Sequence, residues 1–348
     1  MTIIFMTQPA LQKRFDRVAR QSGFRAKTHS EWKTWRTTTR KKLNDVLGMQ
    51  TFRYSPLRPN ITEEGEYQGL IRQRVEIHTE LDVIMPFYVL IPKGKGPYIP
   101  IIATHGHGVG AKLGTVGDRT DPAIAANIDN VHCNYGQVMA EAGFIVFCPD
   151  ARGFGERREA AALATGRFGK ESCLELNYMA MPLGQCVTGM WIWDIMRLLD
   201  YIGTRKDCRK GGVGCAGLSA GGHQALWAAA LDDRITCAIV SGYFYGYKEA
   251  LLDLHQNCSC NYVPHAWENV DMGDLGALIA PRALLIESGS KDPLNGSKGI
   301  ANVLSQLKIT QKAYRLLDVK DHLAHDIFDD GHRWNGEKTT PWLYRWLG

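Results

Sequence analysis

The sequence predicts an α/β protein: a mostly parallel central sheet opened by an antiparallel hairpin, with helices on both faces and a helical extension at the N-terminus. Two observations carry this expectation. Short, almost wholly apolar runs at 99–104, 144–148, 212–216, 235–241 and 283–287 have the look of strands covered on both faces. Between them lie stretches with helical spacing: Ile192, Ile195, Met196, Leu199 and Ile202 share one face, as do Ile300, Val303, Leu304, Leu307, Tyr314 and Leu317. Alternating strands and helices of this kind build a parallel sheet. Apolar residues make up 45% of the 348 and charged residues 22%, which excludes a disordered or fibrous chain.

The elements follow in order. Residues 13–42 hold eleven Lys or Arg against Asp16 and Glu31, so the basic character of the chain sits there; the net +5 leaves −4 for the rest. Within that segment Ser30 can cap a helix whose Trp32, Trp35, Leu43, Val46 and Leu47 share a face, with Gly48 as its stop and Lys33, Arg36 and Arg40 pointing elsewhere. A Trp stripe argues for docking on the body rather than for a nucleic-acid arm, and no nucleic-acid motif follows. We therefore divide the chain into a helical extension, 1–60, packed on a body, 61–348. Residues 73–79 and 83–91 are β-branched, aromatic and partly alternating, a hairpin that starts the sheet. The last strand is expected at 323–328. Gly-rich and polar insertions at 108–131 and 153–182 fall between core elements, where walls of a site belong.

No window approaches the roughly 20 apolar residues of a membrane span, and the first ten residues are too weakly apolar for a signal peptide, so the expected location is the cytoplasm. Nine Cys, an odd number spread through core segments, are expected to be reduced. Cys258 and Cys260, with His255 and His265 nearby, lack the two-residue gap of zinc loops, and neither a metal nor a cofactor is expected.

The chemistry centres on VGCAGLSAGGHQALWAAAL. Gly217, Ser219 and Gly221 form G-x-S-x-G between an apolar strand and an Ala-rich helix, the setting in which a serine is exposed on a strained turn as a nucleophile. An incidental Ser in a Gly-rich turn is the bland alternative. A serine hydroxyl needs a base to take its proton, and in chain order an acid and then a His follow. His332 comes just after the last strand in FDDGHRW; His322 precedes that strand and His325 lies within it. Asp292 sits in a turn just past the strand ALLIESG, ahead of its rivals Asp318, Asp326, Asp329 and Asp330, and is expected to orient the imidazole. Donors for the developing oxyanion are expected from the backbone amides of Ala220 and of His107, the latter in ATHGHGVG. In PDARGFGER, Arg152 is expected to fix its loop by pairing with Asp150, while Arg157, Arg158, Arg167 and Lys170 are solvated by default or face a carboxylate on the substrate.

Taken together, EWKTWR…LNDVLG, THGHG, PDARGFGER, GLSAGG, SGSKDPLNG and DDGHRW resemble the α/β-hydrolase superfamily, and within it the acetyl xylan esterase and dienelactone hydrolase-like branch, over about residues 30 to 348. The resemblance implies the α/β-hydrolase fold and two-step ester hydrolysis through an acyl-serine, with Ser219, Asp292 and His332 as the triad and no cofactor. Two departures stand out, the longer HGHGVGAK turn and the Cys258-Ser259-Cys260 loop. The expected substrate is a small-molecule ester, with acetylated sugars among the candidates and neither nucleic acid nor membrane as partner, and a homo-oligomer is left open. Lactonase and thioesterase chemistry use the same machinery. A serine peptidase of the prolyl oligopeptidase type also shares the layout, but 348 residues leave no room for seven propeller blades of about 40–50 residues each. A non-catalytic interaction protein has no use for the three residues together.

Overall fold

The structure, a computed structural model, describes residues 6–166, 170–253 and 257–348; His255 and Arg167 lie outside them. Nine strands form one sheet: β1 (Asn60–Tyr67), β2 (Leu70–Glu80), β3 (Val83–Ile91), β4 (Pro100–Thr104), β5 (Ile145–Pro149), β6 (Val213–Leu218), β7 (Ile235–Ser241), β8 (Ala283–Gly289) and β9 (Leu323–Phe328). Their order is β1-β2-β3-β5-β4-β6-β7-β8-β9. β1, β2, β3 and β5 pair antiparallel, and every pair from β5 through β9 is parallel. This is the expected mixed sheet, with one added strand. β1 (NITEEGEY) is exposed along its length except at Tyr67, so it offers no apolar alternation to read.

Period-two alternation divides the core between two faces. Val75, Phe87, Val89, Ile102, Phe147, Cys215, Val240 and Ile286 point one way, onto the helices Val187–Thr204, Ala220–Leu231, Met272–Ile279 and Ile300–Leu316. Tyr88, Leu90, Ile101, Val146, Ala216, Ile239 and Leu285 point the other way, onto Tyr135–Glu141 and the C-terminal helix Thr339–Leu347. The inner parallel strands β4 to β8 are thus covered twice, which is why their sequences are almost continuously apolar, whereas the edge strand β9 (LAHDIF) is only partly buried.

The basic helix runs His29–Val46 and is capped two residues earlier than Ser30 suggests: the Thr28 hydroxyl accepts from the Glu31 amide, and Gly48 closes the other end in the left-handed region. Leu43 and Leu47 are buried in the main core, with Trp32, Trp35 and Val46 packed against it. Arg36 and Arg40 do not point into solvent as their spacing suggested. Both pair with Asp233, and Arg40 Nε donates to the Ala230 carbonyl at 2.7 Å. A further helix, Gln8–Val18, precedes them.

Candidate active site

The site assembles at the C-terminal edge of the parallel strands. β6 ends at Leu218 and the helix Ala220–Leu231 begins at once, so Ser219 must make the whole turn, with φ 60° and ψ −121°. Such a conformation costs a non-glycine residue of order 1–3 kcal/mol and is held only by its surroundings. Those surroundings demand glycine: a Cβ on Gly221 would stand 2.0 Å from the Thr104 carbonyl oxygen, and one on Gly217 would stand 2.4 Å from Gly221. The turn is tied down by the Ser219 amide, which donates to the Ser241 carbonyl at 2.9 Å.

β8 leads into the turn that carries Asp292, and β9 into the loop that carries His332, two neighbouring strands in the sheet. The carboxylate is buried. Its Oδ1 accepts from the Leu294 amide at 2.8 Å, and its Oδ2 meets His332 Nδ1 at 2.6 Å. A proton on Nδ1 is therefore shared with the aspartate, which leaves Nε2 as the acceptor on the other side of the ring. Gly242, at φ +57°, backs the imidazole so closely that a Cβ there would lie 2.9 Å from its Cε1. Ser219 and His332 line the same recess, about 60 Å³, and the same larger cavity, about 600 Å³.

The rival residues are engaged elsewhere. Asp326 accepts from Asn335 and Lys338, Asp329 pairs with Lys291, and Asp330 pairs with Arg333. Asp318 holds a left-handed turn position. His325 Nε2 meets the Ser288 hydroxyl, and His322 contacts the Pro281 carbonyl and Trp346.

His107 follows β4 and lines both the recess and the cavity. Among the described residues, neither its amide nor that of Ala220 has an acceptor within the chain, so both are available to a bound oxyanion. His105 is structural. Its Nε2 accepts from the Ala151 amide at 3.0 Å, Nδ1 lies 2.8 Å from the Gly106 carbonyl, and burial lowers its pKa.

Around the PDARGFGER turn the structure corrects one pairing. Asp150 binds Lys112 Nζ at 2.5 Å and accepts from the Lys112 and Glu156 amides, while Arg152 reaches Asp194 and Glu80 instead. Arg157 also joins Asp194, at 2.6 Å, and is buried rather than solvated. Burial opposes the charge on Asp194, but the two guanidiniums outweigh it and hold the carboxyl down at about 2. Arg158 Nε donates to the Gly155 carbonyl, and Lys170 pairs with Glu175. Lys112 escaped sequence reasoning. It closes the HGHGVGAK turn, whose extra length is the one signal for it, and is buried between Asp150 and Glu156 in the wall of a second cavity of about 450 Å³. Also missed was a cluster of possible metal donors beside the site, His107, Cys173, Cys258 and Cys260.

No family model matches the chain. It is 30% identical over 229 residues to YtaP of Bacillus subtilis (strain 168), a protein named as a hydrolase, covering 64% of this chain and 70% of YtaP. Among solved structures, a protein from Bacteroides fragilis NCTC 9343 named as an acetyl xylan esterase superposes with a TM-score of 0.81 at 17% identity, covering 99% of this chain and 95% of its own. A glucuronoyl esterase from Solibacter usitatus gives a TM-score of 0.70 at 17% identity, with 95% and 97% covered. With this sheet, a strained serine at the end of β6 and identity to YtaP along most of that protein, the chain belongs to the α/β-hydrolase superfamily.

Proposed function

We propose that this protein is a serine carboxylic-ester hydrolase for short acyl esters of polar alcohols, acetylated sugars among them. The observation that carries the reading is a strained, partly exposed Ser219 sharing one cavity with an imidazole already held by a buried carboxylate. In the first step His332 Nε2 takes the Ser219 proton as the hydroxyl oxygen attacks the ester carbonyl. The Ala220 and His107 amides donate to the oxyanion, and Asp292 stabilises the imidazolium. His332 then returns the proton to the leaving alcohol, and water, activated by the same imidazole, frees the acyl-serine.

The recess beside Ser219 holds the equivalent of about four waters, room for an acetyl or similarly short chain. Lys170, Glu171, Asn257 and Ser259 line the larger cavity and suit a hydroxyl-rich leaving group. Of the similar structures, the one named as an acetyl xylan esterase points to a sugar as the alcohol, whereas the name glucuronoyl esterase puts a sugar acid on the acyl side. Free thiols at all nine cysteines fit a reducing compartment, so the cytoplasm is the proposed location. Among the described residues no helix is long and apolar enough to cross a membrane.

The test is a series of p-nitrophenyl esters of increasing acyl length, run beside acetylated sugars, lactones, thioesters and peptide amides. We expect kcat/KM to be highest for acetyl and to fall steadily with chain length. A preference for octanoyl esters, or turnover of peptide amides alone, overturns the reading.

A further inference from the structure

Three loops far apart in the sequence bring four soft donors together beside the cavity. His107 follows β4, Cys173 opens the helix Cys173–Ala180 within the 153–182 insertion, and Cys258 and Cys260 lie in the connection between β7 and β8. His107 Nε2 and the three Sγ atoms all lie within 4.8 Å of one another. Cys173 and Cys258 are 3.1 Å apart at sulfur, and Cys260 Sγ is 3.9 Å from His107 Nε2. Tetrahedral zinc with bonds of about 2.3 Å to sulfur and about 2.0 Å to nitrogen separates its ligands by roughly 3.5–3.8 Å, inside that spread.

From this geometry we propose that His107, Cys173, Cys258 and Cys260 form a Cys3His site for one zinc ion. Four protein donors fill the tetrahedron, so the ion braces the structure and takes no part in turnover. Cys173 and Cys260 are buried, while Cys258 and His107 are partly exposed and give the ion a way in from the cavity. Asn261 Nδ2 lies 3.6 Å from Cys260 Sγ and also donates to the Cys258 carbonyl, the kind of outer contact that orients a thiolate ligand. Binding releases one proton from each thiol, and neutral His107 gives its Nε2 lone pair, so the filled site carries a net charge of −1. Cys258 and Cys260 are too close in sequence to announce a zinc loop by themselves. The fold supplies the other two donors from residues 107 and 173, which no local spacing could reveal.

The consequence falls on the loop after β4. A zinc ion on the His107 side chain would pin a residue that lines the recess and tie it to the 153–182 insertion and to the connection between β7 and β8.

The test uses the full chain, purified under reducing conditions without chelator, and reads metal by elemental analysis. We expect one zinc per chain, lost in Cys173→Ser and in Cys258→Ser and retained in Cys133→Ser, whose thiol lies outside the cluster. Because a cysteine variant could fail to fold, the wild-type protein is also exchanged into cobalt(II). Thiolate-to-cobalt charge-transfer absorption with tetrahedral d–d bands is expected, together with protection of three thiols from alkylation until a strong chelator is added. Wild-type protein that holds no zinc and develops no such spectrum overturns the proposal, as does a Cys173–Cys258 disulfide found by mass spectrometry in the reduced preparation. None of these readouts depends on ester turnover, so the site stands or falls separately from the hydrolase reading.

Discussion

Single residues carry the sharpest expectations. A fluorophosphonate should label Ser219, and Ser219→Ala should lose nearly all esterase activity while its circular dichroism is unchanged; labelling at another serine defeats the assignment. Asp292→Asn keeps the shape of the turn but disfavours the tautomer with Nε2 free, so kcat should fall by up to ~10⁴, by analogy with other triads. Asp329→Asn and Asp330→Asn, on exposed carboxylates paired with Lys291 and Arg333, should stay near wild-type rates in the same assay. Glu287 offers a test of another kind. It is fully buried on β8, where desolvation, with the Asp326 charge adding to it, pushes its carboxyl up to about 7 against an ordinary 4.5. The neutral acid is favoured in the fold, so its contribution to stability is whole below about pH 4.5 and is lost as pH rises through 7, a change of roughly 3 kcal/mol. Glu287→Gln should therefore flatten the decline in urea midpoint between pH 5 and pH 8; an unchanged slope would assign that decline to other groups. Ser219, Asp292 and His332 were legible in the sequence because each stands at the end of a recognisable strand. Lys112 and Asp194 were not, because a buried ion pair leaves no periodic mark and its partners are far away in the chain.

At the scale of elements, the strands covered on both faces and the helices at 187–204 and 300–316 were readable from apolar spacing alone. The basic helix was readable on one side only. Its Trp stripe indicated the packed face, but spacing could not show that Arg36 and Arg40 reach around to the body, since a long cationic side chain can lie along a surface and place its head in a contact. The two classes of residue should separate in chemical denaturation. Trp35, edge-on to Phe24 with its Nε1 donating to the Ser22 carbonyl, should cost on the order of 3 kcal/mol when replaced by Ala. Lys33→Ala, on the exposed side, should stay within ~0.5 kcal/mol. Arg40→Ala should fall between them, on the order of 1 kcal/mol. Its pair with Asp233 is half in solvent and worth little, but its bond to the Ala230 carbonyl satisfies the last turn of the helix that starts at the nucleophile. Equal costs for Lys33→Ala and Arg40→Ala would remove that contact from the account.

Across the whole molecule, the proposed catalytic groups come from the ends of β4, β6, β8 and β9, between residues 107 and 332, and no local segment contains two of the triad. Fluorophosphonate reactivity and far-ultraviolet ellipticity should accordingly vanish together along a urea titration. Reactivity lost well before the ellipticity would mean that the edge of the sheet loosens as a separate unit. The same dependence on tertiary assembly explains why a mostly parallel sheet was open to inference while the cysteine cluster was not: parallel pairing follows from the alternation of strand and helix, whereas a meeting of three loops is known only once the sheet has placed them. At the far side of the sheet from that meeting, β1 ends the ladder with one row of backbone amides and carbonyls unpaired. Such a border invites another chain to add a strand. Here the border carries Glu63, Glu64 and Glu66 in the open, so a second copy laid edge to edge would bring its own glutamates alongside at strand spacing. The repulsion makes growth by strand addition self-limiting, and this chain can keep a nine-stranded sheet open at its border without becoming the seed of a fibre.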